Sequence, residues 1–220
     1  MQSNILDIAP SLAEYFTDVE PRGDFNSVNL SESTDTISQY RPYFGLLHDS
    51  RILESIISPD QFFLQLNDFT THVFADALVN RKRLAINDDK LVFRIDLNFK
   101  IVNLSFNTVD EEGFIKQIKP LNIDEYLYED VISIIDGITK VGLVVWSKGK
   151  GNNSGRYILL LINAKSISVS EHQENDWQAV FSNSYDLYYN RFKTELKKGT
   201  YLSDQSLCEK LIDEIDENIG

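Results

Sequence analysis

A single cysteine, Cys208, leaves the chain no internal disulfide, so its stability has to come from burial. That usage fits a reducing compartment. Long apolar runs are missing too: nothing approaches the roughly 20 residues a membrane-spanning helix requires. The opening MQSNILDIAPSLAEYF lacks a basic n-region and a continuous apolar h-region. No secretory signal is expected, and the chain reads as cytoplasmic with no membrane partner. Positive charge is scarce, with 21 Lys and Arg against 34 Asp and Glu, a net of −13. A phosphate-backbone binder needs a basic face to displace counterions, so nucleic acid is not an expected partner. The acidic surface instead suits a partner with basic segments. Histidines number three, and His48, His72 and His172 are scattered, none with a His or Cys at metal-ligand spacing. Cys208 has no histidine near it in sequence and reads as a buried thiol rather than a nucleophile.

What is present suffices for a core. The 42% hydrophobic and 11% aromatic content argues against global disorder, and 220 residues make one domain with extensions, or at most two small ones. The strongest pattern is Leu91 to Asn107, LVFRIDLNFKIVNLSFN. Leu91, Phe93, Ile95, Leu97, Phe99 and Ile101 alternate with polar residues, and after Ile101 the phase slips by one. Alternation means a half-buried strand, and the slip demands a turn or bulge. A tight turn around Asp96 to Phe99 between two strands is expected.

Elsewhere, Ser58-Pro59-Asp60 has the chemistry of a helix start, predicting a helix to about Arg81 with Phe62, Leu66, Phe69, Val73 and Leu78 on one stripe. A third strand is expected around Phe114 to Ile118, before Pro120. Asn122 with Glu125 predicts a second helix carrying Leu127, Val131, Ile134 and Ile135, ended by Gly137 or Gly142. Val141 to Ser147 and Tyr157 to Ile162 read as two strands joined by KGKGNNSG. These are apolar on both faces, so both faces need a cover, from an extra segment, a second subunit or a partner. A long helix from Asn175 to Lys198 and an acidic helix from Ser203 complete the chain.

No catalytic constellation emerges. The GKGNNSG loop, flanked by Lys148, Lys150 and Arg156, does not match a phosphate loop and joins two strands rather than a strand and a helix. Asp88, Asp89, Asp96 and Lys100, or Asn163-Ala164-Lys165, only faintly suggest a metal-dependent nuclease, which needs two or more acidic ligands beside a lysine. An enzyme is not expected.

Taken in order, these elements are resembled by one family. FTTHVFADAL (residues 69–78), FRIDLNFKIVNLSFN, EGFIKQIKPL, and RYILLLINAKSISV leading to DWQAVFSNSYDLYYNRFKTEL resemble the class I type III secretion chaperones, the Tir-chaperone-like family, over the central two-thirds of the chain. The fold class implied is α+β, an antiparallel sheet of about five strands with helices on one side, in the order α-β-β-β-α-β-β-α. It would span residues 58–198, with an N-terminal extension over 1–57, partly irregular, and an acidic C-terminal helix over 199–220. The resemblance implies a non-catalytic cytoplasmic homodimer that holds the amino-terminal segment of a client effector as an extended chain, by strand addition at a sheet edge. No cofactor, ATP or metal is implied. Phe62, Phe69, Val73, Leu78, Phe93 and Ile95 would bind the client. Leu127, Val131, Ile135, Val144 and Trp146 would form the dimer contact. The alternative is an acidic inhibitor or immunity protein that blocks a basic toxin or nucleic-acid enzyme by charge complementarity.

Overall fold

Asp136 and Gly137 both adopt positive φ, 51° and 73°. Two successive left-handed residues make the tight hairpin turn that Asp-Gly favours. Here they join strand β5 (Glu125–Ile135) to β6 (Ile138–Ser147). The fold comes from a computed structural model that describes residues 3–18, 39–40, 43, 47–67, 77, 94–149, 155–172, 184–198 and 205–219. Among these, α1 (Ile5–Ile8) and a 3-10 helix (Pro10–Tyr15) precede β1 (Ser50–Ile57) and β2 (Gln61–Asn67). Then come β3 (Arg94–Val109), β4 (Ile115–Ile118), β5, β6 and β7 (Arg156–His172). Helices α2 (Ser184–Lys197) and α3 (Gln205–Ile219) finish the chain.

The seven described strands form one antiparallel sheet in the order β2-β1-β5-β6-β7-β3-β4, and β2 also pairs with β3. That last pairing closes β1, β2, β3, β7, β6 and β5 into a six-stranded barrel. β4 lies outside the ring, along the C-terminal half of β3. One seam of the ring is short. β1 meets β5 only at Ser50–Tyr126 and Arg51–Glu125, followed by Ile52 N–H donating to the Asp124 carbonyl at 2.8 Å.

Period-two alternation decides what fills the barrel. Phe62, Leu64 and Leu66 of β2 point inward with Ile95, Leu97 and Phe99 of β3, and with Leu143, Val145, Ile158, Leu160 and Ile162 of β6 and β7. A ring this small holds side chains and no hollow. The opposite faces of β5, β6 and β7 carry Leu127, Val144, Leu159 and Leu161, which pack against Ile5, Ala9, Leu12 and Ala13. Asn4 fixes that N-terminal segment: its side chain accepts from the Leu6 N–H and donates to the Glu112 carbonyl, both at 2.9 Å. The Ile5 and Ile115 amides donate to Gly113 and Ser3 carbonyls, tying the segment to β4. At the other end, Tyr188 and Phe192 of α2 and Cys208, Leu211, Ile212 and Ile215 of α3 are buried, and the Tyr188 hydroxyl donates to Asp216. No helix among the described residues is long and apolar enough to cross a membrane.

The α+β class holds in its broad form, with seven strands where about five were expected. The Leu91–Asn107 stretch is not a hairpin: from Arg94 it is one 16-residue strand. The slip after Ile101 is real, but irregular register between Lys100 and Asn103 absorbs it, leaving Val102 half exposed outside the pairing. Ser58-Pro59-Asp60 starts no helix. It turns β1 into β2, with the Ser58 N–H donating to the Gln61 carbonyl at 2.8 Å. The second expected helix, from Asn122, is strand β5, rich in the Tyr, Val and Ile that pleated surfaces favour. The stretch over 1–57, expected as an extension, supplies a barrel strand and the cover of the barrel's outer face.

Candidate functional site

Beside the short β1–β5 seam the outer surface opens into a groove of about 590 Å³. Its lining is Tyr15, His48, Asp49, Glu125, Leu127, Tyr128, Trp146 and Tyr157. Each residue is placed by a local feature. Tyr15 ends the 3-10 helix. On β5, the pairing skips Leu127 between Tyr126 and Tyr128, a bulge that leaves both Leu127 and Tyr128 on the outer face. Trp146 and Tyr157 are cross-strand partners on β6 and β7. Asp49 occupies the left-handed region at φ 61°, in the turn that leads into β1.

The rings meet edge to face and in offset stacks, as aromatic quadrupoles prefer. Trp146 and Tyr157 have centroids 4.9 Å apart, Tyr15 and Tyr128 5.9 Å, and Tyr15 and Tyr157 6.3 Å. Tyr157 stays 43% exposed, so much of this surface faces water. The rim is acidic. Asp49 lies beside His48, with Nδ1 3.2 Å from its carboxylate, and Glu125 is 3.7 Å from the Lys148 ammonium. The Tyr15 hydroxyl feels this environment: burial first, then the charge of Glu14, the neighbouring Tyr128 hydroxyl and the charge of Asp49, push its pKa up from its ordinary 10.0 to about 12.

Gly155 makes the Trp146 wall possible. A Cβ there would stand 2.4 Å from Cζ2 of the indole, well inside van der Waals contact. Gly155→Ala is therefore expected to turn Trp146 out of its edge-to-face contact with Tyr157 while leaving the barrel folded. Tryptophan emission and the Trp146 indole N–H resonance check this; an unchanged indole resonance would contradict it.

The residues anticipated from sequence are dispersed. Phe62 and Ile95 fill the barrel interior, with 0% and 1% exposure, and face no open surface. Phe69, Val73, Leu78 and Phe93 lie outside the described residues. Of the expected dimer contacts, Val131 is inside the barrel, and Val144 is covered by the chain's own N-terminal segment. Ile135 is 64% exposed beside the Asp136-Gly137 turn. Leu127 and Trp146 line the groove, beside residues the sequence reading gave no site role: Tyr15, His48, Asp49, Glu125, Tyr128 and Tyr157. Trp146 and Tyr157 flank the glycine-rich hairpin symmetrically, which was the available signal.

The other candidates separate as well. Asp96 projects outward from β3 and accepts from the Gln65 amide at 3.0 Å, while Asp88 and Asp89 lie outside the described residues. Cys208 is buried on α3. Among the described residues no three His, Cys, Asp or Glu side chains group as metal ligands. No family model, no curated protein and no solved structure matches the chain.

Proposed function

We propose that the chain is a non-catalytic protein-binding module that takes an extended polypeptide segment as an added strand along β1. The observation that carries this reading is the outer edge of β1. Beyond Ile52, among the described residues, no strand pairs with that edge, and Leu53, Ile56 and Ile57 are 40%, 51% and 44% exposed. An edge with open backbone donors and acceptors and apolar side chains is a template for another strand, and proteins ordinarily blunt such edges with charge or proline. Here only Glu54 and Ser55 interrupt the apolar set, and Glu54 brings the one charge between Leu53 and Ile57. Alongside lies a cleft of about 330 Å³, lined by Arg51–Ser55, Asn122–Asp124 and Lys148.

Strand addition is the mode by which a secretion chaperone would hold a client, and an acidic blocker of a basic toxin could use it equally. The net charge of −13 favours a basic partner in either role. Native mass spectrometry of the protein purified from its own host tests the reading. A bound polypeptide is expected, and it should be lost from Leu53→Lys/Ile56→Lys, which charges the edge without touching the core. A bare monomer would overturn the reading, as would a dimer of this chain alone that the double variant abolishes.

A further inference from the structure

We infer that the groove beside the seam is a receptor for an arginine side chain of a partner polypeptide, with the guanidinium laid against Trp146 and Tyr157 and met by the carboxylates of Asp49 and Glu125. Four rings converge from three separate elements and the 3-10 helix, and Tyr157 remains open to water. A ring face attracts a cation, Trp most strongly, and arginine is the usual donor because its guanidinium is flat and weakly hydrated. The rim offers acceptors suited to it. The Asp49 and Glu125 side chains are 64% and 40% exposed, so both can receive a forked donor. Lys148 offsets Glu125 in part, but it is itself 63% exposed and long enough to swing away.

Other ligand classes fit less well. An anion would meet the carboxylates of Asp49 and Glu125, with Glu14 close by Tyr15. A wholly apolar side chain would leave those carboxylates desolvated at its border. Position adds to the case. Glu125 and Trp146 of the groove are near neighbours in sequence of Asp124 and Lys148, which line the cleft beside β1. The arginine site needs no strand added there, however, since its own side chains complete it.

Titration of the labelled protein with a short acetylated and amidated Gly/Ser peptide bearing one arginine tests the inference. The Trp146 indole N–H and the Glu125 amide are followed by NMR. The arginine peptide is expected to shift both saturably and to bind about fivefold more tightly than its citrulline counterpart. Raising the salt should weaken it, about threefold between low and physiological ionic strength. Asp49→Asn/Glu125→Gln should lose about fivefold in affinity with the amide dispersion of the barrel retained. Equal binding of the citrulline peptide, silence at Trp146, or unchanged affinity in that double variant would each overturn the assignment. Leu53→Asn/Ile56→Asn, which spoils the apolar edge without adding charge, should leave this titration as it is, so that loss of the arginine site and loss of strand addition are told apart.

Discussion

A chain beginning at residue 19 is expected to lose its cooperative fold or to associate through the face it uncovers. Ile5 and Leu12 are fully buried against Val144 and Leu159, with Leu6, Ile8, Tyr15 and Phe16 partly buried around them. Burying a large apolar side chain contributes about 1.5–3 kcal/mol. Removing several at once therefore withdraws on the order of 10 kcal/mol, as much as the whole stability of a typical domain. The fit is close as well as apolar. Leu12 Cδ1 stands only 2.7 Å from where a Cβ on Gly142 would be, so the segment sits directly on the β6 backbone. Leu12→Ala alone should cost about 2–5 kcal/mol. Circular dichroism and gel filtration of the shortened chain, and a urea midpoint for Leu12→Ala, check the two parts. A shortened chain that stays monomeric with an unchanged midpoint would mean that the outer face needs no cover.

That cover bears on where sequence reasoning succeeded. The two-faced apolar character of β6 and β7 was legible in VGLVVW and YILLLI, and the inference that both faces must be covered was sound. What could not be read was who covers them. The N-terminal segment is weakly patterned because it is short: one turn of helix and a 3-10 stretch show no helical period. The physical demand for burial was visible, and the chain met it from its own first 16 residues.

Two expected helices failed for different reasons. Serine, proline and aspartate serve a helix start and a tight turn through the same hydrogen bonds, so Ser58-Pro59-Asp60 alone could not decide between them. The alternation after it could have: Gln61, Gln65 and Asn67 against Phe62, Leu64 and Leu66 is a strand pattern. On β5 the difficulty is deeper. Bulges that skip Leu127 and Ile132 break the period of two, and the outward Leu127, the inward Val131 and Ile134 then fall at helix-like spacing. A bulged strand and an amphipathic helix are close in one-dimensional pattern, and only the pairing with β6 separates them. The groove was hidden because Tyr15, Asp49, Tyr128 and Trp146 come from distant parts of the chain, and neither the Leu127 bulge nor the left-handed turn at Asp49 has a distinctive local sequence.

Among the described residues, the barrel interior carries a polar cluster that predicts how the protein fails at high pH. Tyr40, Tyr126 and Glu129 are buried at 0%, 0% and 1% exposure, and the two tyrosine hydroxyls lie 2.8 Å apart. Burial first, and the charge of Glu129 second, hold both hydroxyls well above their ordinary pKa. In the unfolded chain both ionise near pH 10. Above that the native state binds more protons than the unfolded state, so stability is full below about pH 10 and falls as pH rises beyond it. Each tyrosine should remove about 1.4 kcal/mol per pH unit until its folded-state pKa is reached. Tyr40→Phe/Tyr126→Phe takes both hydroxyls from Glu129 and should start about 2–5 kcal/mol less stable at neutral pH. Its decline between about pH 10 and pH 11 should nonetheless be shallower, by about 2 kcal/mol, because neither phenylalanine can ionise in the unfolded chain. Denaturant midpoints across that interval decide the matter: parallel declines in the two proteins would show that the buried pair does not set the alkaline limit.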